Sequence, residues 1–261
     1  MSFLPQVSVL ILTYNEEPNI GRTLDALRDF SEVVLLDSGS TDATLAIAAR
    51  YPNVRVTHRP FDSFAGQWNH GLTACGLTRE WVLALDADYV LPASFVAEVA
   101  QIPVANNPVS GYRVSFQYCV FGKPLSATLY PPLVLLYKRE SVHYTQEGHC
   151  MRAQVVGPVG ALQGRIQHDD RKSLARWLSS QASYAVQEAN LLRSHAWSEL
   201  KLQDKIRRLI FIAPWLVPLY CLTVGRGFLD GRAGLFYAMQ RAVAESILAI
   251  QLLESDLRGK Q

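Results

Sequence analysis

Two aspartates separated by one residue, Asp86 and Asp88, form the most suggestive pair of side chains in this 261-residue chain. They follow the apolar segment 81–85, which is too short for a confident helix and is typical of a buried strand. Side chains alternate along a strand, so both carboxylates are expected to point the same way at its carboxyl end, where open α/β sheets bind ligands. Such a pair suits Mg²⁺ or Mn²⁺, with substrate phosphates as further ligands. The alternative is a turn with solvated acids.

The sequence also predicts the strands and helices that must position Asp86 and Asp88. Short apolar segments predict strands, and longer segments with an apolar stripe predict helices. Strands that alternate with helices favour an α/β fold with a doubly wound, mostly parallel sheet flanked by helices. The predicted strands span 7–12, 33–36, 54–57 and 81–86, and the predicted helices end near Arg28 or span 43–50 and 64–76.

A second acidic motif, DSGSTD at 37–42, follows the second predicted strand. The carboxylate of Asp37 is suited to accept a hydrogen bond from a ribose or a base, and Gly39 permits a tight turn. A capping turn without a ligand is the alternative. The sequence has no G-x-G-x-x-G after the first strand, no P-loop and no G-x-S-x-G elbow. This disfavours dinucleotide-binding Rossmann domains, P-loop NTPases and serine hydrolases.

The composition narrows the class of protein without identifying a site. Charged residues make up 18% of the chain and hydrophobic residues 49%, which is apolar for a soluble enzyme. The net charge of +2 gives no reason to expect a nucleic-acid partner. No signal peptide is expected at the N-terminus. The dispersed cysteines are expected to be buried free thiols in a reducing cytosol, and they are Cys75, Cys119, Cys150 and Cys221.

An ordered set of motifs resembles family 2 glycosyltransferases. T-Y-N-E at 13–16 follows the first predicted strand, the acidic segment 37–42 follows the second, and D-A-D at 86–88 follows the fourth. Segment 64–72 is similar to the stretch between the third and fourth strands of that family. The resemblance implies the glycosyltransferase-A fold and a nucleotide-sugar donor. It also implies a divalent metal ion, Mg²⁺ or Mn²⁺, that bridges the donor diphosphate at the D-x-D motif.

The same resemblance implies roles for individual residues. Asp88 is implied as a metal ligand, while Asp86 is expected to face the ribose, the diphosphate and the metal. Tyr89 stands where close relatives often have an acid, which removes a carboxylate but leaves both aspartates. Asp62 is alternatively an ordinary turn residue. The implied donor-binding residues are Thr13, Tyr14, Glu16, Asp37, Asp62, Asn69 and Asp86.

The second half of the chain resembles a narrower branch, the bacterial lipopolysaccharide core β-glucosyltransferases. Strands predicted at 111–121 and 133–137 extend the sheet, and the motifs Q-E-G-H at 146–149 and H-D-D-R-K-S-L at 168–174 carry the resemblance. It implies inverting transfer of a hexose, glucose from UDP-glucose, to an inner-core sugar of lipopolysaccharide. The rivals are a transferase acting on a polyprenyl phosphate or another envelope glycan, and a nucleotide-sugar-binding protein without turnover.

Inverting transfer needs a general base for the acceptor hydroxyl, and Glu147 is the predicted base. It is alternatively an ordinary loop acid, in which case Asp169 or Asp170 is the next candidate. His168 is implied as a metal or diphosphate ligand, with Asp169 as its rival. The expected acceptor or phosphate contacts are His149, Arg171 and Lys172, for which a core histidine and a solvated basic face are the alternatives.

The C-terminal part reads as helical and contains an apolar run at 209–224. This run is shorter than the roughly 20 residues of a spanning helix. Basic flanks, Trp215 and Tyr220 favour peripheral attachment to the inner face of the cytoplasmic membrane, with glycolipid as the acceptor. The alternative is packing against the core or in a dimer. The predicted domains are a catalytic domain at 1–172, with a nucleotide-sugar half (1–102) and an acceptor half (103–172), and a helical tail at 173–261.

Overall fold

The computed structural model describes residues 4–102, 107–126, 128–147 and 150–258. The chain forms two compact units, of which the first carries the main sheet and the second is mainly helical. Unit 1 comprises Met1–Gly122, Tyr130–Gln146 and Met151–Arg171, and unit 2 comprises Lys123–Leu129, Glu147–Cys150 and Lys172–Gln261.

Strands and helices alternate along the first half of the chain. The elements are β1 (Leu4–Thr13), α1 (Ile20–Asp25), β2 (Phe30–Asp37), α2 (Thr44–Ala48), β3 (Val54–His58), α3 (Phe64–Ala74), β4 (Trp81–Asp86), β5 (Tyr89–Val90) and α4 (Ala93–Ala100). The four predicted strands are confirmed. The first helix ends earlier than expected, because turn hydrogen bonds from Leu27 N to Leu24 O and from Phe30 N to Leu27 O lead directly into β2.

The second half of the chain contributes more strand than the sequence predicted. It contains β6 (Gly111–Val120), β7 (Lys123–Pro124), β8 (Leu133–Lys138), β9 (Val142–Glu147), β10 (Cys150–Val155) and β11 (Val159–His168). The strands predicted at 111–121 and 133–137 are confirmed as β6 and β8. The sequence did not predict β9, β10 or β11, and β11 places His168 at the end of a strand.

The main sheet has the strand order β3-β2-β1-β4-β8-β6-β11-β5. The pairs β2–β3, β1–β2, β1–β4 and β6–β11 are parallel, while β4–β8, β6–β8 and β5–β11 are antiparallel. The register aligns Thr13 with Asp37 and Leu12 with Asp86. The predicted mostly parallel, doubly wound sheet is therefore confirmed, and its strand ends bring three of the predicted site residues to one edge.

Both faces of this sheet are covered, as near-continuous apolar strands require. Alternate residues of β1 face opposite layers, since successive side chains of a strand point to opposite sides. Val9 and Ile11 pack with α1 residues such as Leu24, whereas Leu10 packs with Trp68 of α3. The outer sheet of β9 and β10 lies on the α3 side, where Tyr144 joins the same cluster as Trp68.

Unit 2 is built around the helices α5 (Leu174–Ser194), α6 (Leu202–Arg208), α7 (Ala213–Leu222) and α8 (Arg232–Arg258). Alanines and leucines of α5 and α8 form its core, with Ala189 and Leu252 almost completely buried. The buried carboxylate of Glu245 pairs with Arg207 at 2.9 Å and with Arg241 at 3.1 Å. In the described part of the chain, every helix is too short or too polar to cross a membrane.

Candidate functional site

Hydrogen bonds join the loop after β1 to the loop after β2. Asn15, which has a left-handed φ of 55°, accepts from Thr41 N at 2.7 Å and donates from its own N–H to Ser40 Oγ at 2.8 Å. Glu16 N donates to Thr44 Oγ1 at 2.7 Å. These hydrogen bonds join the two loops into one wall of the site. The T-Y-N-E motif shapes this wall mainly through main-chain groups.

Asp37 is buried at the centre of this wall. Its carboxylate accepts from Gly39 N at 2.8 Å and from Ser40 N at 2.9 Å. Gly39 has a φ of 97°, a conformation that a side chain would strain. Thr13 Oγ1 lies 3.4 Å from Asp37 Oδ1, and His58 Nδ1 lies 3.5 Å from Asp37 Oδ2. Asp37 thus organises the turn in which it was predicted to bind a nucleoside.

The two aspartates lie at a strand end and in the following turn. Asp86 is the last residue of β4, whereas Asp88 lies in a two-residue turn before β5. The strand alternation that predicted a shared direction therefore does not extend to Asp88. The antiparallel pairing of Tyr89 with His168 brings the imidazole to the turn, and His168 Nε2 lies 3.3 Å from Asp88 Oδ2. Burial is the largest single influence and lowers the pKa of His168, but Asp88, Asp86 and Asp170 together raise it by more, so the net shift is upward.

Three tyrosine rings surround the His168 imidazole. The ring centroids of Tyr89, Tyr118 and Tyr130 lie 5.2, 4.9 and 4.8 Å from it, all close to edge-on. The hydroxyls of Tyr89 and Tyr130 are 2.7 Å apart, and burial raises the pKa of Tyr89 well above its usual value. Tyr89, at the position where the resemblance implied an acid, therefore packs as a buried ring against His168 and supplies no carboxylate.

The chemistry of this donor set fits a divalent cation held jointly with a ligand. No group of three or more His, Cys, Asp or Glu side chains in the described ranges is arranged as a metal cage. Asp86, Asp88 and His168 nevertheless supply oxygen and nitrogen donors at one edge, and Mg²⁺ commonly takes one or two carboxylates together with substrate phosphates. The fit is therefore to an ion whose remaining ligands are phosphate oxygens.

Sequence reasoning missed two residues that join α1 to the end of β11. Asn19 is fully buried and donates to Glu16 Oε2 and to Asp170 Oδ1, both at 2.9 Å. Arg22 donates to Asp169 Oδ2 at 2.7 Å, and burial lowers its pKa. The only signal in the sequence was their i,i+3 spacing, because their partners lie about 150 residues away.

Asp169 is the centre of a cluster of charged side chains. Besides Arg22, it accepts from Arg171 Nε at 2.9 Å and from Gly122 N at 2.9 Å. Arg171, predicted to contact phosphate, is thus held by Asp169. This carboxylate is already engaged by two guanidinium groups, which makes Asp169 a poor substitute for the predicted base.

The remaining predicted donor residues differ in their surroundings. Tyr14 is half exposed beside the joined loops. Asp62 is exposed and paired with Arg59 Nη2 at 2.6 Å, and that hydrogen-bonded pair lowers the pKa of Asp62 to about 2. Asn69 bonds both main-chain groups of Tyr144 instead of facing the loops of Asp37.

The structure describes the predicted acceptor-side residues less fully than the donor residues. Glu147 is the last residue of β9, and His149 lies outside the described residues. Lys172 belongs to unit 2, whereas Arg171 belongs to unit 1. The predicted base and these acceptor contacts therefore stay predictions.

Residues 8–162, more than half of the chain, match the profile of Glycosyl transferase family 2. The chain belongs to this family. The resemblance to family 2 glycosyltransferases is therefore confirmed.

Curated members of the family are similar to part of the chain. The lipopolysaccharide core biosynthesis glycosyltransferase LpsC of Rhizobium meliloti (strain 1021) is 30% identical over 113 residues, which are 42% of this chain and 41% of LpsC. An uncharacterized glycosyltransferase of Rickettsia conorii is 31% identical over 107 residues, 41% of this chain and 37% of that protein. The chain thus spans about two fifths of the length of these relatives.

Solved structures of similar fold extend over nearly the whole chain. The mannosyltransferase PcManGT from Pyrobaculum calidifontis, in complex with GDP-Man and Mn²⁺, has a TM-score of 0.54 at 16% identity, covering 97% of this chain and 89% of that one. S. aureus TarS 1-349, in complex with UDP-GlcNAc, has a TM-score of 0.50 at 16% identity, covering 98% and 92%. These likenesses confirm the predicted glycosyltransferase-A fold.

Proposed function

We propose that this family 2 member is a metal-dependent, inverting hexosyltransferase. It moves glucose from UDP-glucose to an inner-core sugar of lipopolysaccharide at the inner face of the cytoplasmic membrane. The observation that carries the proposal is the meeting of Asp86, Asp88 and His168 beside the joined loops of Thr13 and Asp37. This arrangement offers a nucleoside wall and a cation site at one edge of the sheet.

The proposed donor site has two parts, a nucleoside wall and a cation site. The loops after β1 and β2 hold the nucleoside, with Thr13, Tyr14, Glu16 and Asp37 as the expected wall. Asp88 and His168, with Asp86, hold the divalent ion. When bound, this ion neutralises the charge that develops on the departing diphosphate. PcManGT, which has a similar fold, forms a complex with GDP-Man and Mn²⁺, and this supports the proposal of an ion and a nucleotide sugar at such a site.

The acceptor end supplies the proton acceptor. A single displacement at the anomeric carbon inverts its configuration, and the attacking hydroxyl must lose its proton to a base. Glu147 is the proposed base, and it is the last residue of β9, a strand of the predicted acceptor half. His149, Arg171 and Lys172 are the proposed acceptor or phosphate contacts. The similarity to LpsC, a lipopolysaccharide core biosynthesis glycosyltransferase, supports the proposed acceptor class.

Unit 2 provides the proposed attachment to the membrane. Large apolar side chains of α7 and its flanks are exposed, with Trp215 at 80% and Phe211 at 74%. Between Lys205 and Ala244 the only acid is Asp230, which is buried and bonded by Ser126 N and Oγ at 2.9 and 2.7 Å. This apolar surface therefore carries only positive exposed charge, which suits an anionic lipid face.

A donor screen tests the proposal. Purified protein is incubated with UDP-glucose, UDP-galactose, UDP-GlcNAc or GDP-mannose, with Mn²⁺ and deacylated inner-core oligosaccharide. Mass spectrometry is expected to show one added hexose with UDP-glucose and none in the Asp86→Asn/Asp88→Asn variant. Transfer only to a polyprenyl phosphate would overturn the acceptor, and binding of every donor without transfer or hydrolysis would indicate a non-catalytic protein.

A further inference from the structure

Helix α3 bonds two different parts of unit 1 through residues only two positions apart. Gln67 Nε2 donates to Ser38 Oγ and Arg59 O at 3.0 Å and to Pro60 O at 3.2 Å. Ser38 directly follows Asp37, so this side chain holds the wall proposed for the nucleoside. Gln67 is almost completely buried, which indicates a fixed contact.

Asn69 makes the corresponding contact on the other side of the helix. Its Nδ2 donates to Tyr144 O at 2.9 Å, and its Oδ1 accepts from Tyr144 N at 2.9 Å. Residues two apart are rotated by about 200° around a helix, so Gln67 and Asn69 serve opposite sides. The amide of Asn69 therefore takes the place of a neighbouring strand beside β9.

β9 needs such support because it lies outside the main sheet and, among the strands of the described residues, pairs only with β10. Trp68 stacks on Tyr144 with ring centroids 5.4 Å apart and an interplanar angle of 15°. The Tyr144 hydroxyl lies 2.9 Å from that of Tyr137 in β8, and Ala65 N donates to Gln146 Oε1 at 3.3 Å. Tyr144 is thus the point at which β9 is attached to α3 and the main sheet.

We propose that Asn69 is a positioning residue of the acceptor half, which attaches β9 through Tyr144 to the helix whose Gln67 holds the donor wall. The inference rests on the proposed function, in which β9 belongs to the acceptor half. It replaces the donor contact expected for Asn69, because both polar ends of that amide are used by Tyr144. Misplacement of groups on the acceptor side slows the chemical step without weakening the donor complex.

The test compares Asn69→Leu, which removes both hydrogen bonds at similar size, with Asn69→Asp, which keeps only the acceptor. Because a misplacement of about 1 Å can cost a hundredfold in rate, kcat for transfer to the core oligosaccharide is expected to fall about a hundredfold in Asn69→Leu. Calorimetry is expected to give a wild-type Kd for UDP-glucose. Asn69→Asp is expected to fall between wild type and Asn69→Leu in kcat.

Two further variants separate positioning from general stability. Gln67→Leu is expected to show the opposite pattern, a raised Kd for UDP-glucose. Asn53→Leu is the matched control, since Asn53 Nδ2 bonds Leu27 O at 3.0 Å and Phe30 O at 2.8 Å near the start of β2. It is expected to lower the Tm and leave kcat unchanged. An Asn69→Leu protein with wild-type kcat, or one whose UDP-glucose Kd rises as in Gln67→Leu, would overturn the positioning role.

Hydrogen exchange gives a readout that does not depend on turnover. The Tyr144 N–H donates to Asn69 Oδ1, so its exchange is expected to accelerate in Asn69→Leu and to stay slow in Asn69→Asp, which keeps the acceptor, and in Asn53→Leu. Slow exchange at Tyr144 in Asn69→Leu would overturn the attachment of β9 itself. Fast exchange there, in a protein whose wild type transfers no sugar, would support the attachment and refute the proposed function.

Discussion

His168 Nε2 lies 3.3 Å from Asp88 Oδ2 because β5 and β11 pair through Tyr89 and His168. The last strand of unit 1 thereby delivers an imidazole to the turn that follows β4. The contact links the nucleotide-sugar half of the sequence to the acceptor half. It also places Asp88 and His168, two of the side chains on which the metal prediction depends, next to each other.

Removing either metal-facing aspartate is expected to abolish or severely reduce transfer. Asp88→Ala should lose nearly all activity and Asp86→Ala most of it, because charge developing on the diphosphate is then uncompensated. Chelation of the wild-type protein should have the same effect, and Mn²⁺ titration followed by electron paramagnetic resonance should show weaker binding in both variants. Asp25→Ala, an exposed aspartate paired with Arg28, is the control. Full activity in chelator with no ion retained would refute the metal assignment.

The cluster around Asp169 is expected to contribute to stability. Asp169→Ala leaves Arg22 and Arg171 without the carboxylate that they share. Breaking a buried ion pair typically costs about 3–5 kcal/mol, and since both arginines are partly exposed we expect about 3 kcal/mol. Urea unfolding measures this, with Asp25→Ala as an exposed pair that should change little. A free energy of unfolding equal to wild type would show that the cluster is not structural.

Donor recognition is expected to depend on Asp37. Loss of a charged hydrogen bond costs about 1.5–3 kcal/mol, or roughly tenfold to over a hundredfold in affinity, so Asp37→Ala should weaken UDP binding by that factor even without acceptor. Because Asp37 also holds the turn through Gly39 N and Ser40 N, Ser40→Ala is measured alongside. Calorimetry giving the same affinity for wild type and Asp37→Ala would make Asp37 purely structural.

The sequence predicted those parts of the site that depend on local order. The apolar run of β4 and the acids at its end are neighbours in sequence, so the short apolar run was enough to predict the strand that precedes them. The surroundings of His168 were not predictable in this way, because Tyr130 reaches Tyr89 across 41 residues and Asn19 reaches Asp170 across 151. Such contacts follow from strand order, which the antiparallel β8 and the unpredicted β11 determine.

Membrane binding is expected to require the exposed face of α7. The double variant Trp215→Glu/Leu219→Glu removes two large apolar side chains that are 80% and 57% exposed. Each is worth about 1.5–3 kcal/mol when buried, so partitioning onto vesicles should fall roughly a hundredfold or more. Leu257→Glu, an equally exposed leucine near the end of α8, is the control.

The vesicles identify the partner of this surface. Co-sedimentation is expected with vesicles containing phosphatidylglycerol and much less with phosphatidylcholine alone, because the exposed charge of this segment is positive. If the wild-type protein binds neither kind of vesicle and sediments as a dimer, and the double variant sediments as a monomer, the face is instead a subunit interface.

Proton removal from the acceptor is expected to depend on Glu147. Glu147→Gln keeps the size of the side chain but removes the proton acceptor, and general-base catalysis is typically worth about 10²–10⁴-fold, so kcat should fall by that factor. UDP-glucose affinity should stay at the wild-type value, since the donor wall is built from the loops after β1 and β2. Glu140→Gln, in the turn before β9, is the matched control.

The anomeric configuration of the product tests the mechanism behind this assignment. A single displacement on an α-linked donor gives a β-glycoside, which nuclear magnetic resonance of the product distinguishes from the α-anomer. If Glu147→Gln turns over at the wild-type rate, the base lies elsewhere. Asp170 is then a better candidate than Asp169, whose carboxylate is held by Arg22, Arg171 and Gly122 N. An α-linked product would refute inversion itself, because no choice of base in a single displacement retains the configuration.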